Sequence, residues 1–598
     1  MNQYVKRIDE LQKNVILKAI LVIFIFIFNM RNISSLDMPA IVGDEFGYWA
    51  NAATFAGYDW SGLASSLSSY YSYGYGFILA ILIKIAPSMQ NAYSMAIVLN
   101  CILASGAFLL LSLSLENMCL NVDRRLIIIS SAMVVMYPSI QHNTQFAWSE
   151  TVLFSVFSII ACLFAKYVNE KKKKYILLLI LGVTYLYMIH QRSIGVFAVT
   201  VFFIICISCL DLKAEHKSKA NAIKTMLLLC VIIVVGLVIG KYIKDSQQSK
   251  LWNNMENVEF LIGNEEEKGS DVNDYSGQLW KIKALFSLSG VYNFLLSFLG
   301  KIFYFGLSSF GIGYLGLIKC FHSLYKLIKN RGKGEPYEWW TCYIGMAYMA
   351  AVMVSAIYFL VPSRIDTIIY GRYSDWLASP IVLIGFLELM FIANTRKIKW
   401  VCLFTVFNEI NLLILWYAIK KYDLWFFFGT CSPIGQGFRE KMKCDVHWVI
   451  LMTQVVQLVM IIIFLLSSIK KEKLKRITSV ITVSMMWYFI TKSAIDYDIN
   501  MGNKEEMKYL ASEINKQHAD NIVYYMADDV GEHWRIYSIQ FLLGSKPIKV
   551  KISNSQQFDE IEDSDDLLII NNDKALLSSL TRFDNVAETE NFVIGYCR

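Results

Sequence analysis

Two carboxylates stand side by side in Gly43-Asp44-Glu45-Phe46-Gly47-Tyr48-Trp49, among apolar and aromatic residues and just after Pro39. Near a membrane surface, partial desolvation and mutual repulsion raise one carboxylate pKa of such a pair, which suits a general base. The same residues also fit a helix start, with Asp44 as cap and Glu45 in the first turn. A second polar cluster, His142-Asn143-Thr144-Gln145-Phe146-Ala147-Trp148-Ser149-Glu150, ends in a carboxylate at the head of an apolar run. A helix N-terminus favours a carboxylate there for structural reasons too. Three cations sit in otherwise apolar surroundings: Arg192 in His190-Gln191-Arg192-Ser193, Lys301 in Gly300-Lys301-Ile302-Phe303, and Arg372 in Gly371-Arg372-Tyr373-Ser374-Asp375. Each can meet an anionic phosphate or a carboxylate. A carboxylate that takes a proton from a hydroxyl, with cations that stabilise a leaving anion, is the chemistry this set can do. His142 and Glu150 are candidates to orient an acceptor or to bind a metal.

These residues need elements to position them, and composition says which kind. Of 598 residues, 56% are hydrophobic and only 18% charged, against about 45–50% apolar and ~25% charged in soluble domains. Eight Pro and a mean hydropathy of +0.43 exclude disordered, collagen-like and disulfide-scaffold classes. The chain reads as a polytopic α-helical membrane protein.

Apolar stretches long enough to cross ~30 Å of hydrocarbon fall near 14–30, 91–115, 126–140, 147–166, 175–189, 194–210, 222–240, 292–318, 339–361, 377–394, 399–419, 447–468 and 477–495, thirteen in all. Tyr75–Ala86 is too short to span and reads as a half-inserted helix. The first stretch lacks a small-residue cleavage site and reads as a retained anchor.

Lysine placement orients the array. With a cytoplasmic N-terminus, alternate connections carry Arg124-Arg125, Lys171 to Lys174, Lys213 with Lys217 and Lys219, Lys326 with Lys329 and Arg331, Arg396-Lys397, and Lys470 to Arg476. The opposite short connections carry almost none. Outer loops then comprise 31–90, 241–291 and 420–446, and the tail lies outside. The loop 241–291 reads as partly ordered over a cavity mouth, with an interfacial helix over Gln278–Ser289 and a solvated acidic part around Glu265. All the reactive candidates fall on the outer side.

The membrane part, 1–495, carries 46 Lys/Arg against 30 Asp/Glu, whereas 496–598 carries 10 against 19. The basic excess is therefore a topology signal and not a nucleic-acid footprint. The tail reads as a small extracytoplasmic α/β domain. Lys504–Lys516 is helical by composition; Asn521–Met526 and Leu567–Ile570 read as buried parallel strands. No G-x-G-x-x-G follows either strand, so a nucleotide site has no support. The 12 Cys show no zinc spacing; Cys431 and Cys444 share one loop, where a disulfide and two free thiols both fit.

An anchor followed at once by an outer loop with Asp44-Glu45 resembles the GT-C superfamily of membrane glycosyltransferases, in the branch of protein O-mannosyltransferases and lipid A aminoarabinose transferases. The short helix at Tyr75–Ala86, the Ser149-Glu150 at the head of the fourth span, the outer Arg192 and the Gly371-Arg372-Tyr373 stretch add to the resemblance. It implies a fold of about 13 transmembrane helices in the cytoplasmic membrane. It further implies sugar transfer, with inversion, from a polyprenyl-phosphate donor to a hydroxyl of a glycan, lipid or protein acceptor. Asp44 would be the base, assisted by Glu45, and Arg192, Lys301 and Arg372 would bind the donor phosphate. The second outer loop lacks Asp-x-Asp; Glu45 and Glu150 could bind a divalent cation or orient the acceptor, and no nucleotide is needed. Rival readings are a polysaccharide polymerase or ligase, a lipid-linked glycan flippase, and a non-catalytic scaffold; a transporter should show inverted repeats, which this sequence lacks. A reporter active only in the cytoplasm and fused after Arg598 is expected to stay silent; strong signal would overturn the orientation.

Overall fold

A computed structural model describes residues 2–40, 42–68, 70–118, 122–215, 219–252, 282–283, 285–358, 368–391, 394–422, 446–469, 472–501, 504–519, 521–527, 535–553, 567–572 and 583–597. Local signals delimit many of its helices. The chain enters with α1 (Asn2–Asn29) and a 3-10 turn (Met30–Ser35), followed by α2 (Val42–Ala56), α3 (Ser61–Leu67) and α4 (Gly74–Ile85). Ser88 caps α5 (Met89–Glu116) by accepting from the Asn91 N–H, and Asp123 caps α6 (Arg124–Val135) through Arg125 N–H. Pro138 cannot continue a helix and instead opens α7 (Pro138–Asn143). Then come α8 (Glu150–Glu170), α9 (Lys173–Ile189), α10 (Ile194–Glu215) and α11 (Lys219–Leu251).

The second half holds α12 (Leu288–Ser308), α13 (Ile312–Lys329), α14 (Pro336–Tyr358), the one-turn α15 (Arg372–Asp375), α16 (Ala378–Phe391), α17 (Asn394–Tyr422), α18 (Val446–Leu466) and α19 (Glu472–Met501). Among the described residues, seven helices are long and apolar enough to cross a membrane. Apolar side chains such as Ile16, Ile20 and Phe24 on α1, or Leu413 and Tyr417 on α17, stand exposed on their outer faces, as contact with lipid requires.

The eighth expected span, 292–318, is not one helix. It divides into α12 and α13 at Ser309–Gly311, where Phe310 and Gly311 take positive φ of 50° and 73°. Hydropathy runs on through the break, so periodicity alone cannot show it. Below the break α13 lies against α16 at backbone distance: a Cβ on Gly316 would fall 2.1 Å from the Ile381 carbonyl oxygen, and one on Gly385 2.0 Å from that of Ile312. Small residues permit this approach, which is how helices pack tightly in lipid. Of the expected ordered segment in 241–291, residues 253–281 lie outside the described residues, as do Cys431 and Cys444.

The tail starts with α20 (Lys504–Lys516), then β1 (Ile522–Ala527), α21 (Ile536–Leu543), β2 (Ile548–Ser553), β3 (Leu567–Asn571), β4 (Phe583–Glu588) and β5 (Phe592–Cys597). The sheet order is β2-β1-β3-β5-β4, with β1 parallel to both β2 and β3, and β5 antiparallel to β3 and β4. The two strands read from sequence are thus parallel neighbours in the centre of the sheet.

This sheet unit is seated on the segment that follows α1. Trp60 Nε1 donates to the Gly544 carbonyl at 2.7 Å, and the Tyr537 hydroxyl donates to the Leu67 carbonyl. Phe46 of α2 is stacked between Trp60 (5.6 Å) and Tyr537 (4.4 Å), while Trp49 meets Phe541 at 5.0 Å. Lys508 pairs with Asp37 at 2.8 Å. At the other end of the helix array, ion pairs of Lys18 with Glu116 (2.7 Å) and Arg476 with Asp123 (3.9 Å) join elements near the basic connections. Removing Trp60 deletes a fully buried ring and its hydrogen bond, a loss of about 3–5 kcal/mol. Trp60→Ala should therefore speed amide hydrogen exchange across 536–543 by at least about 100-fold; unchanged protection there would show that α2 and α21 are not energetically coupled.

Candidate active site

Asp44 and Glu45 are adjacent in the first turn of α2, about 100° apart around the helix, so their side chains leave in different directions. Glu45 is buried and turned inward. Its carboxylate accepts from the Tyr93 hydroxyl (2.6 Å), the Ala147 N–H (2.8 Å) and the Ala40 N–H (2.9 Å), so it ties α2 to α5 and to the connector ahead of α8. Asp44 is half-buried and turned toward a cleft. Its Oδ1 accepts from the Tyr71 hydroxyl at 2.6 Å, and its Oδ2 pairs with Arg372 Nη1.

Arg372 reaches this point from α15, in the segment between α14 and α16. Its Nε donates to Glu150 Oε1 at 2.9 Å while the guanidinium lies 3.9 Å from the centre of the Trp148 ring, a cation–π contact. Glu150, the first residue of α8, also accepts from Arg192 Nη2 at 2.8 Å, and both side chains are almost wholly buried. Arg192 sits in the 3-10 turn Gln191–Ser193, whose N–H groups are fastened by His190: Nδ1 accepts from Arg192 N–H at 3.2 Å. Its guanidinium lies 4.9 Å from the Tyr373 ring. Tyr48 donates to Ser149 Oγ at 2.8 Å, and that hydroxyl is 3.4 Å from Glu150. Two carboxylates and two guanidiniums thus form one neutral network drawn from four separate parts of the chain.

The electrostatics differ from the sequence expectation. Desolvation in the cleft pushes the Asp44 carboxyl up, but the Arg372 guanidinium and the Tyr71 hydroxyl outweigh it and hold Asp44 below the usual carboxylate range. The rise expected for a repelling Asp-Glu pair does not occur at Asp44, because Glu45 points away and a cation takes its place. Burial, then the charge of Asp44, pushes the Tyr71 phenol well above its ordinary value, so it stays a proton donor to Asp44. Burial and the two arginines keep His190 neutral, its pKa well below the ordinary value.

The remaining sequence candidates lie elsewhere around this network. His142, in α7, is buried against the rings of Phe146 (4.9 Å) and Trp148 (5.7 Å), and so backs the ring on which Arg372 rests. Lys301 is buried within α12, where Nζ donates to Ser297 Oγ at 2.9 Å. It is 13 residues from the start of α12, deeper than a span starting at 292 implied. Tyr71, Trp148 and Tyr373 are contacts that sequence reasoning did not single out. The run Tyr70-Tyr71-Ser72-Tyr73 and the lone Trp148 in a polar connector are the signals that could have found them.

Beside the network lies a cavity of about 400 Å³. Its walls include Tyr70 and Tyr73, next to Tyr71; Gln191, next to Arg192; and Thr184, Met188, Gly236 and Leu237 from α9 and α11. Lys241, Lys244 and Asp245 mark its polar end. The cavity thus has apolar walls from α9 and the middle of α11 and charged groups from the last turns of α11, a lining suited to an amphiphile. Within the network, Glu150→Gln would leave two buried guanidiniums short of their shared counter-charge, a cost of about 3–5 kcal/mol. Thermal unfolding in detergent should show a larger drop for Glu150→Gln than for Asp44→Asn, whose carboxylate is partly solvated; the reverse order would mean that Glu150 is not the hub of the network.

No family model matches the sequence, and no curated protein sequence matches it. Solved structures do. ArnT from Cupriavidus metallidurans bound to undecaprenyl phosphate superposes with a TM-score of 0.53 at 12% identity, covering 97% of this chain and 97% of that one. The same protein in the apo state gives 0.52 at 13% identity with the same coverage. The archaeal oligosaccharyltransferase AglB from Archaeoglobus fulgidus, in complex with an inhibitory peptide and a dolichol-phosphate, is more distant: a TM-score of 0.42 at 10% identity over 89% of this chain and 64% of that one. At such identities the likeness to ArnT is one of fold, and it runs through both the helices and the tail: the chain has the fold of ArnT.

Proposed function

We propose that the protein transfers a sugar from a polyprenyl-phosphate donor to an acceptor hydroxyl at the outer face of the cytoplasmic membrane, with inversion at the anomeric carbon. The GT-C fold and the binding of undecaprenyl phosphate by ArnT support the donor class. The observation that carries the reading is the pairing of Asp44 with Arg372, a base and an anion-binding cation in direct contact beside an amphiphile-shaped cavity.

The network suggests how the site arms itself. With no donor bound, Asp44 is ionised but engaged by Arg372, and so a poor proton acceptor. A donor phosphate competes for the Arg372 guanidinium, since a cation held in a low-dielectric cleft binds a phosphate with parallel N–H donors. Asp44 is then released toward the acceptor. The acceptor oxygen attacks the anomeric carbon, its proton passes to Asp44, and the bond from that carbon to the phosphate oxygen breaks. Arg372 and Arg192 stabilise the negative charge that grows on the leaving phosphate, the interaction that most favours the transition state over the ground state.

Glu45 and His142 serve in this reading as supports, the first for α2 and the second for the Trp148 ring. Lys301, buried on α12, is a further cation for the donor phosphate. Asp44 and Glu150 are each balanced by a guanidinium and His142 faces aromatic rings, so among the described residues this donor set does not fit a divalent ion. The sheet unit and outer loops, on the lysine-poor side of the array, support the outward orientation.

The test is purified protein in detergent with a panel of radiolabelled polyprenyl-phosphate sugars, scored for transfer or hydrolysis. Asp44→Asn keeps shape and an acceptor oxygen but cannot take the proton. It should lose at least ~10²-fold in turnover, about 2.7 kcal/mol of barrier, while still binding the lipid phosphate. Near-normal turnover in folded Asp44→Asn would sink the assignment of the base.

A further inference from the structure

Asp375 is 2% exposed and has no role in the chemistry above, although it lies three residues after Arg372 on α15. A buried carboxyl demands a reason. Its Oδ2 accepts from the Tyr304 hydroxyl of α12 at 2.7 Å. The Tyr304 ring also lies against Gly371, where an added Cβ would come within 1.6 Å of ring carbon Cε1. The Ser374 and Asp375 N–H groups both donate to the Gly371 carbonyl, at 2.8 and 2.9 Å. Residues 371–375 therefore close on themselves and are clamped to Tyr304 at both ends, with Arg372 inside the clamp. A helix of four residues is too short to hold its own shape in isolation, so the direction in which Arg372 leaves it is set by this attachment.

We propose that Asp375 is a positioning residue which, through Tyr304, fixes the Arg372 guanidinium between Asp44 and Glu150. The kinetic consequence rests on the transferase reading; the stability consequence does not. Three tyrosines face the carboxyl from other elements: Tyr304 of α12, Tyr137 at the entry to α7 and Tyr348 of α14, the last hydrogen-bonded to Ser374. Arg372 is the charged group on its own element. Burial among them pushes the Asp375 carboxyl up to about 7. Its folded-state pKa is thus above the unfolded value, so folding takes up a proton and the contribution of Asp375 to stability declines as pH rises from about 4 to about 7, then levels off. The ionised form is also the better acceptor for the Tyr304 hydroxyl, so the hold on Arg372 tightens over the same interval. Asp44 titrates below the usual range, so an inflection near neutrality that Asp375→Asn removes belongs to Asp375.

Thermal unfolding of the full chain at pH 5 and pH 8 is the first arm, on wild type, Asp375→Asn, Tyr304→Phe, Arg372→Gln and the double variant of Tyr304 and Arg372. Asp375→Asn should remove the extra loss of stability that wild type shows at pH 8, and the Tyr304 and Arg372 changes should be less than additive. The second arm is turnover. Tyr304→Phe and Asp375→Leu should each lower kcat by about 10-fold or more with a smaller change in the donor KM. Asp375→Asn, which keeps the acceptor oxygen, should recover most of kcat and lose the inflection near pH 7. Wild-type kcat in Tyr304→Phe, or strict additivity in the stability cycle, would overturn the proposal. If wild type itself transfers no sugar, the transferase reading falls and the stability cycle alone decides this one.

Discussion

Arg372 is shared by two carboxylates that would otherwise have no reason to be neighbours. Asp44 lies 328 residues before it and Glu150 222 residues before it, and the guanidinium joins both in one cleft. Without a cation between them, two carboxylates in a poorly solvated site repel, and one takes up a proton. With it, both remain ionised and the network is neutral once Arg192 is counted. Arginine suits the task because its planar fork offers several donors in fixed directions and stays charged under burial. Lysine would present a single point of charge and could not span Asp44, Glu150 and the Trp148 face together.

Everything near the cleft is arranged to hold that geometry. Glu45, beside Asp44 in sequence, spends its carboxylate on three inward hydrogen bonds and so locks the helix from which Asp44 projects. Phe46 and Trp49 of the same helix, with Trp60 at the start of α3, carry the tail domain. Aromatic stacking gives large contact area at low entropic cost, so the tail is attached to the site by its stiffest groups. The backbone contact of Gly316 and Gly385 packs α13 on α16, and α16 follows directly on α15. The position of Arg372 is therefore inherited from helix packing as well as from its own ion pairs.

The membrane setting explains why the network is confined to one end of the array. Ionised groups cost several kcal/mol in hydrocarbon unless they pair or face a cavity. Here the four charged residues lie at helix starts and short connectors, and the nearby cavity adds Lys241, Lys244 and Asp245 to otherwise largely apolar helix walls.

Much of this was legible in the chain itself. Apolar runs and their lysine-rich connections located the helices, because crossing a bilayer imposes length and composition on every span. The polar residues with chemistry in them stood out against that background, and Asp44, Glu150, Arg192 and Arg372 were visible one by one. Their pairing was not, since it depends on contacts across hundreds of residues that no local pattern records. The reversal of the expected Asp44 pKa has the same origin: adjacency in sequence suggested a repelling pair, whereas helical geometry turns Glu45 away and tertiary packing supplies a guanidinium. The break at Phe310-Gly311 was hidden because hydropathy is indifferent to backbone direction. Sequence by itself determined which residues must meet lipid and which could react; only the folded chain decided which charges face each other, because in a low-dielectric cleft the partner, and not the residue, sets the state of the group.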